Sequence, residues 1–305
     1  MATATLLLPA RHRFPATALP APVARALGQA ERETLQPGEH AQLQRHFQLP
    51  GQQWPVAALT RQLDAGDAGD RLWLRADPAN ITPDMNGARM MAFGELLAST
   101  ADDVAQLLPA LQELFVEHGF VLQASDPARW YLQLPPDTAL PAFATPSDVL
   151  GDDVFAHLPA GEQGRPWRAL LSETQVLLHN HPWNAQRVAN GQRPINSLWF
   201  WGAGVLPRSV STPHAQVRSR DALVRALASV AGVAVDGDGA VDALVDLRQL
   251  RSVEQLGQGA ITPLLEALRR GELRELVLDF EDGACFRIQR SQRWRLWRKP
   301  VALHD

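Results

Sequence analysis

The sequence predicts an α/β protein, and three stretches carry that expectation. ATLLL at 4–8 is suited to a buried strand. An amphipathic helical pattern over 100–118 leads into two strand-like runs, GFVLQAS and RWYLQLP. A helical segment at 261–270 precedes the hairpin signal ELVLDF, Glu281-Asp282-Gly283, ACFRIQR. Apolar residues that recur at a period near 3.6 in some segments and near 2 in others indicate helices packed on sheet.

Taken in order, the first strand ends at Pro9, and neither a GxGxxG nor a P-loop lysine follows it. Helical patterns occupy 22–34 and 39–47, the second preceded by Pro37 and Gly38. The acidic, Gly-rich DAGDAGD at 64–70 is expected to be a surface linker. LWLRADP is expected to be a strand ending at Pro78, with Arg75 and Asp77 at its exit on one face. NITPDMNGARM follows as a loop carrying Asp84, Asn86, Gly87 and Arg89. Thr100 suits the cap of the next helix, and Asp102 and Asp103 suit its positive first turn. GFVLQAS and RWYLQLP form a plausible antiparallel pair, and 135–166 is expected to be irregular.

Functional residue types are densest in 172–204, which holds His179, Asn180, His181, Asn184, Arg187 and Asn196. A helix runs into this stretch. Pro182 suits the first turn of a second, short helix, and Gly191 suits its stop. In INSLWFW, Leu198 and Phe200 point one way and Trp199 and Trp201 the other, so the strand is expected to be buried on both faces. Beyond it, Ser219 or Asp221 starts a helix through Val230, with Gly232 past its end. DALVDLRQL fits a strand or a helix equally. Gly271 stops the 261–270 helix, and RWRLWRKP is a further strand-like run.

A chain of 305 residues is long enough for two domains. Its 46% hydrophobic and 20% charged residues place it among ordinary globular proteins. The net charge of −4 argues against bulk attraction to nucleic acid or an anionic membrane. The single cysteine, Cys285, excludes a disulfide framework and a thiolate metal cluster, which a cytoplasmic location permits. No run nears the roughly 18 apolar residues of a membrane span, and MATATLLLPARHRF is too short and wrongly flanked for a signal peptide.

Each candidate site has a structural alternative. His179 and His181 resemble an HxH metal pair, but no further ligand stands at a fixed spacing. HNHPWN equally suits a helix end that hydrogen-bonds across a turn. Arg187 beside these histidines suits a carboxylate or phosphate receptor, or a pair with a structural carboxylate. Arg75 with Asp77, and Arg129, line a pocket or form strand-end ion pairs. Arg75, His181 and Arg187 are expected to converge on one anion-sized pocket. Arg287, Arg290, Arg293, Arg295 and Arg298 interleave with Trp294 and Trp297 in a pattern that stacks single-stranded nucleic acid. The acidic total favours solvated arginines at a sheet edge instead.

The central stretch resembles the archaeal-type cofactor-independent phosphoglycerate mutases. Their HPxN, Arg, Gly, Asn and closing WGxG elements match His181, Pro182, Asn184, Arg187, Gly191, Pro194, Asn196, Trp201, Gly202 and Gly204. LWLRADPANITPDMNGARM resembles that family's entrance to its inserted substrate domain. Over nearly the whole chain the sequence resembles the RpfE-type regulatory-cluster proteins of plant-associated proteobacteria. These share LRADP, RWYL, the LLHxHPxN block, INSLWFWGAG and a Trp/Arg-rich end. The resemblance implies a degenerate alkaline-phosphatase-like core (1–70 and 205–305) with an inserted α+β domain (71–204). Mutases of this family use two metals held by Asp and His. Here the strand that should end in Asp-Gly runs into Pro9-Ala10, after His214 the only histidine is His304, and the family's substrate arginines are reduced to Arg89.

The expected protein is a regulatory relative of the mutases with no catalytic residues, metal or cofactor. It would bind a small phosphorylated or carboxylate ligand, or a protein, but neither a membrane nor nucleic acid. The candidate ligand-binding residues are Arg75, Asp77, Arg89, Arg129, His179, His181, Asn184, Arg187 and Asn196. An active mutase with an altered site and a purely structural interaction protein are the alternatives.

Overall fold

The computed structural model describes residues 2–51, 54–85, 87–237 and 242–304. In chain order the elements are β1 (Ala2–Leu8), α1 (Ala21–Gln29), β2 (Glu31–Thr34), α2 (Glu39–Gln44), α3 (Val56–Ala65), β3 (Leu72–Asp84), β4 (Gly87–Phe93) and α4 (Ala101–Glu117). There follow β5 (Val121–Asp126), β6 (Arg129–Leu134), α5 (Pro146–Val149), α6 (Gly161–Asn180), α7 (Pro182–Ala189) and β7 (Ser197–Gly204). The chain closes with β8 (Gln216–Arg218), α8 (Ala222–Val230), β9 (Ala234–Val235), β10 (Ala243–Asp246), α9 (Thr262–Arg270), β11 (Leu273–Phe280) and β12 (Ala284–Gln289). This is a mixed α/β chain with two sheets. It divides into two compact units, Met1–Pro50 with Ser209–Asp305, and Gly51–Arg208.

The first unit holds a sheet of order β2-β12-β11-β1-β10-β8-β9. Its centre is parallel: β1 lies between β10 and β11, and β8 and β9 extend it in the same sense. A parallel strand covered on both faces does not alternate with exposed polar residues, which explains the consecutive leucines Leu6, Leu7 and Leu8. Leu6 and Leu8 join α1 and α9 in one core cluster, with Val23, Leu27, Leu265 and Leu268. DALVDLRQL resolves as the strand β10. The β11–β12 hairpin turns at Gly283 with φ +87°, where a Cβ would strike the Leu35 carbonyl. RWRLWRKP is not a strand. A 3-10 turn takes Arg290–Trp294 directly after β12, and the residues that follow join no ladder among the described residues.

In the second unit β3 is the centre of an all-antiparallel sheet. One edge pairs with β7; the other pairs with β6 as far as Arg75 and with β4 from Ala79 onward. The strand therefore runs on through Pro78 instead of ending there. Residues 76–78 have no ladder partner on the β6/β4 edge, where a missing N–H is tolerated. The expected loop is consequently the β3–β4 hairpin, and Asn86 lies outside the described residues. Leu74, Ala76, Leu198 and Phe200 face a core with Leu107, Leu111 and Phe115 of α4 and Trp167 and Leu170 of α6.

The opposite face carries Trp73 and Tyr131, packed on Ala57 and Ala58 of α3. Trp199 belongs to this face too, in a cluster with Ile81, Met90 and Val149. The glycines of WGAG admit this close packing. A Cβ on Gly202 would lie 2.9 Å from Val56 Cβ, and one on Gly204 2.5 Å from Pro55 Cβ. Sequence reasoning assigns no helix to 56–65 because alanines and a buried arginine blur its periodicity.

Candidate functional site

Ligands of parallel α/β sheets bind beyond the C-terminal ends of the strands. At that edge of the first unit, Leu7 pairs with both Asp246 and Asp279, and Ser219 Oγ donates to Asp246 Oδ2 at 2.7 Å. Asp279, 1% exposed, closes β11. Three residues from α2 and its C-terminal turn reach it, and their i, i+3, i+4 spacing sets them on one face. Arg45 Nη1 donates to Asp279 Oδ1 at 3.1 Å, and His46 Nε2 lies 2.9 Å from Oδ2. Gln42 Nε2 donates to the carbonyls of Leu8 at 3.0 Å and Asp279 at 2.7 Å.

His46 Nδ1 in turn lies 3.0 Å from His214 Nε2. A carboxylate only accepts, so His46 donates to Asp279 through Nε2, and the second hydrogen bond joins the two rings. Burial pushes the His214 imidazole down to about 4; neighbouring His46 adds to this and Asp242 opposes it. Below pH 6.5 the unfolded imidazole takes up a proton that the folded one refuses until about pH 4. Stability is therefore lost as pH falls through that window, by about 2 kcal/mol at pH 5 from this group alone. The His214→Asn variant should lose less stability than the parent between pH 7 and pH 5 in urea titrations. Equal losses would show that His214 is not held neutral.

The second carboxylate of the row is held in the same manner. Arg248 donates to Asp246 Oδ1 at 2.9 Å through Nε and to Oδ2 at 2.8 Å through Nη2, while Nη1 reaches Glu39 at 2.7 Å. Burial raises the Asp246 carboxyl, but the hydrogen bonds and charge of Arg248, with Ser219, bring it below its ordinary value. Burial raises Glu39, against the pull of Arg248. Sequence reasoning missed this row. Its only signal is an Asp closing each of two apolar runs, LVD and LVLD; the partners of Asp279 lie more than 230 residues earlier.

The candidates read from the sequence all lie in the second unit. Arg75 donates to Asp77 through Nε at 2.8 Å and Nη2 at 2.9 Å, and to Thr60 of α3 through Nη1 at 3.2 Å. Trp201 Nε1 completes Asp77 at 2.7 Å; burial raises this carboxyl and its donors oppose the rise. Arg129 forks onto Asp64 at 2.8 and 3.0 Å, and Tyr131 donates to the same carboxylate. Asp64 is thus a structural anchor, although DAGDAGD looks like a linker.

On the other face of the sheet, Arg187 donates to Asp103 of α4 and to the carbonyls of Leu97 at 3.0 Å and Arg193 at 2.9 Å. Burial raises the Asp103 carboxyl, but donors from Trp183, Arg187 and Thr100 carry it below its usual value. Asn184 bridges Leu178 and Ile195, and Asn196 pairs with both backbone groups of Ile81. His181 caps α7 by accepting from Trp183 N at 3.3 Å, while Arg89 and His179 are exposed. The sheet separates Arg75 from Arg187 and His181, so their shared anion pocket is not formed. Charge-assisted hydrogen bonds act near 3 Å, and no small anion touches all three.

The two-metal centre implied by the resemblance does not fit the strand-end donors. Both Asp246 oxygens already accept from the Arg248 guanidinium, Asp279 Oδ1 accepts from Arg45 and Oδ2 from His46, and both ring nitrogens of His46 are engaged. Among the described residues no group of three or more His, Cys, Asp and Glu side chains is placed to hold a metal ion.

No helix of the described residues is long and apolar enough to cross a membrane. No family model matches the chain. It is 30% identical over 139 residues to a probable 2,3-bisphosphoglycerate-independent phosphoglycerate mutase of Geobacter sulfurreducens, covering 46% of this chain and 34% of that protein. The corresponding mutase of Methanothrix thermoacetophila is 31% identical over 141 residues, covering 46% and 35%. The cofactor-independent phosphoglycerate mutase structure from Thermoplasma acidophilum superposes with a TM-score of 0.40 at 16% identity, covering 95% of this chain and 90% of that one. The chain thus matches no more than about a third of the length of these curated relatives, and over that stretch it is similar to cofactor-independent phosphoglycerate mutases.

Proposed function

We propose that this chain is a phosphoglycerate-mutase-like protein that does not carry out the mutase reaction. We further infer that it acts as a regulatory binder of a small anionic ligand or a protein partner, in line with its resemblance to the RpfE-type regulatory-cluster proteins. One observation carries the proposal: Asp246 and Asp279, at the edge where an alkaline-phosphatase-like core would hold its metals, are neutralised by Arg248 and Arg45. A guanidinium and a divalent cation compete for the same lone pairs, and two-metal phosphoryl transfer needs those lone pairs to clamp the attacking and leaving oxygens. The run of β1 into Pro9-Ala10, in place of Asp-Gly, supports the same conclusion. Purified protein supplied with manganese or zinc is expected to convert no 3-phosphoglycerate. Turnover abolished by a chelator and restored by metal would contradict the proposal.

A further inference from the structure

A cavity of about 260 Å³ opens in the first unit between α1, α9 and the end of β12. Gln289 of β12 pairs with Glu275 near the start of β11, so the cavity lies at the opposite end of the sheet from Asp279. Its floor is apolar, with Leu265, Leu268 and Ile288, and four arginines line it: Arg25, Arg269, Arg290 and Arg293. All four are exposed. Neighbouring arginines are paired, Arg270 with Glu272 at 2.6 Å and Arg287 with Glu33 at 3.6 Å. Among the described residues, none of these four has a carboxylate at ion-pair distance. Four guanidinium groups around one small cavity repel each other, and an anion seated among them relieves that repulsion.

We infer that this cavity binds a small organic anion, a carboxylate or a phosphate monoester carried on an apolar body. The floor selects the body and the arginine rim selects the charge, the arrangement typical of small-molecule sites. Liquid water occupies about 30 Å³ per molecule, so the space holds a ligand with on the order of ten non-hydrogen atoms. The inference does not depend on whether the chain turns over phosphoglycerate, because none of these residues belongs to the Asp246–Asp279 row.

The test is calorimetric titration of the full chain at pH 7 with four probes: 2-naphthoate, 1-naphthyl phosphate, neutral 2-naphthol and inorganic phosphate. At least one aromatic anion should bind at a single site, at least tenfold more tightly than 2-naphthol and inorganic phosphate. Whichever aromatic anion is preferred identifies the head group. Arg25→Glu and Arg269→Glu should each weaken that binding about tenfold or more without shifting the melting temperature, since both side chains are exposed and unpaired. Ala26→Trp, which fills the cavity and leaves the arginines in place, should abolish it. The site is refuted if neither aromatic anion saturates, if 2-naphthol or inorganic phosphate binds as tightly, or if the three variants bind like the parent.

Discussion

Replacing Arg187 by alanine should destabilise the protein by about 3–5 kcal/mol, the usual cost of stranding one member of a buried ion pair. Arg187 is 1% exposed, and its guanidinium bonds Asp103 and two backbone carbonyls. Truncation leaves a buried carboxylate and two carbonyls without these donors. Lysine recovers little, because a point charge cannot fork to three acceptors. Equilibrium urea unfolding checks this. A loss below about 1 kcal/mol would mean that the arginine is solvated in solution and free to act as a receptor.

Trp199→Ala should cost about as much, roughly 3–5 kcal/mol, through the cavity it leaves. Trp199 is 3% exposed, packs with Ile81, Met90, Val149 and Val154, and donates from Nε1 to the Ala144 carbonyl at 3.0 Å. At 2–4 °C per kcal/mol, the melting temperature should fall by about 10 °C. A fall of only a few degrees would place this strand at a surface and overturn the two-faced burial of β7.

Local signals in the sequence were reliable where one element's chemistry is self-contained. Thr100 and Asp103 do form a reciprocal cap on α4, Asp221 caps α8, and Gly191, Gly232 and Gly271 all adopt positive φ past helix ends. In β7 Leu198 and Phe200 face one core while Trp199 and Trp201 face the other, as the sequence suggests. What failed depended on partners distant in sequence. Pro78 looks like a strand end until β6 and β4 are seen to leave a gap beside it. RWRLWRKP looks like a strand, yet a 3-10 turn follows β12 directly.

Partners distant in sequence also engage the candidate site residues. The arginine, asparagine and histidine density of 172–204 is largely helix caps, backbone bridges and buried ion pairs. The buried Asp279–His46–His214 chain joins three segments with no shared motif.

The central claim is that guanidinium groups occupy the strand-end carboxylates Asp246 and Asp279 and leave them closed to metal ions. Calorimetric titration of manganese into chelator-treated protein at pH 7 tests it most directly. The account predicts no tight manganese binding, with Asp246→Asn and Asp279→Asn titrating like the parent. Two tight sites that disappear in those variants would contradict it and would return the strand-end row to metal chemistry.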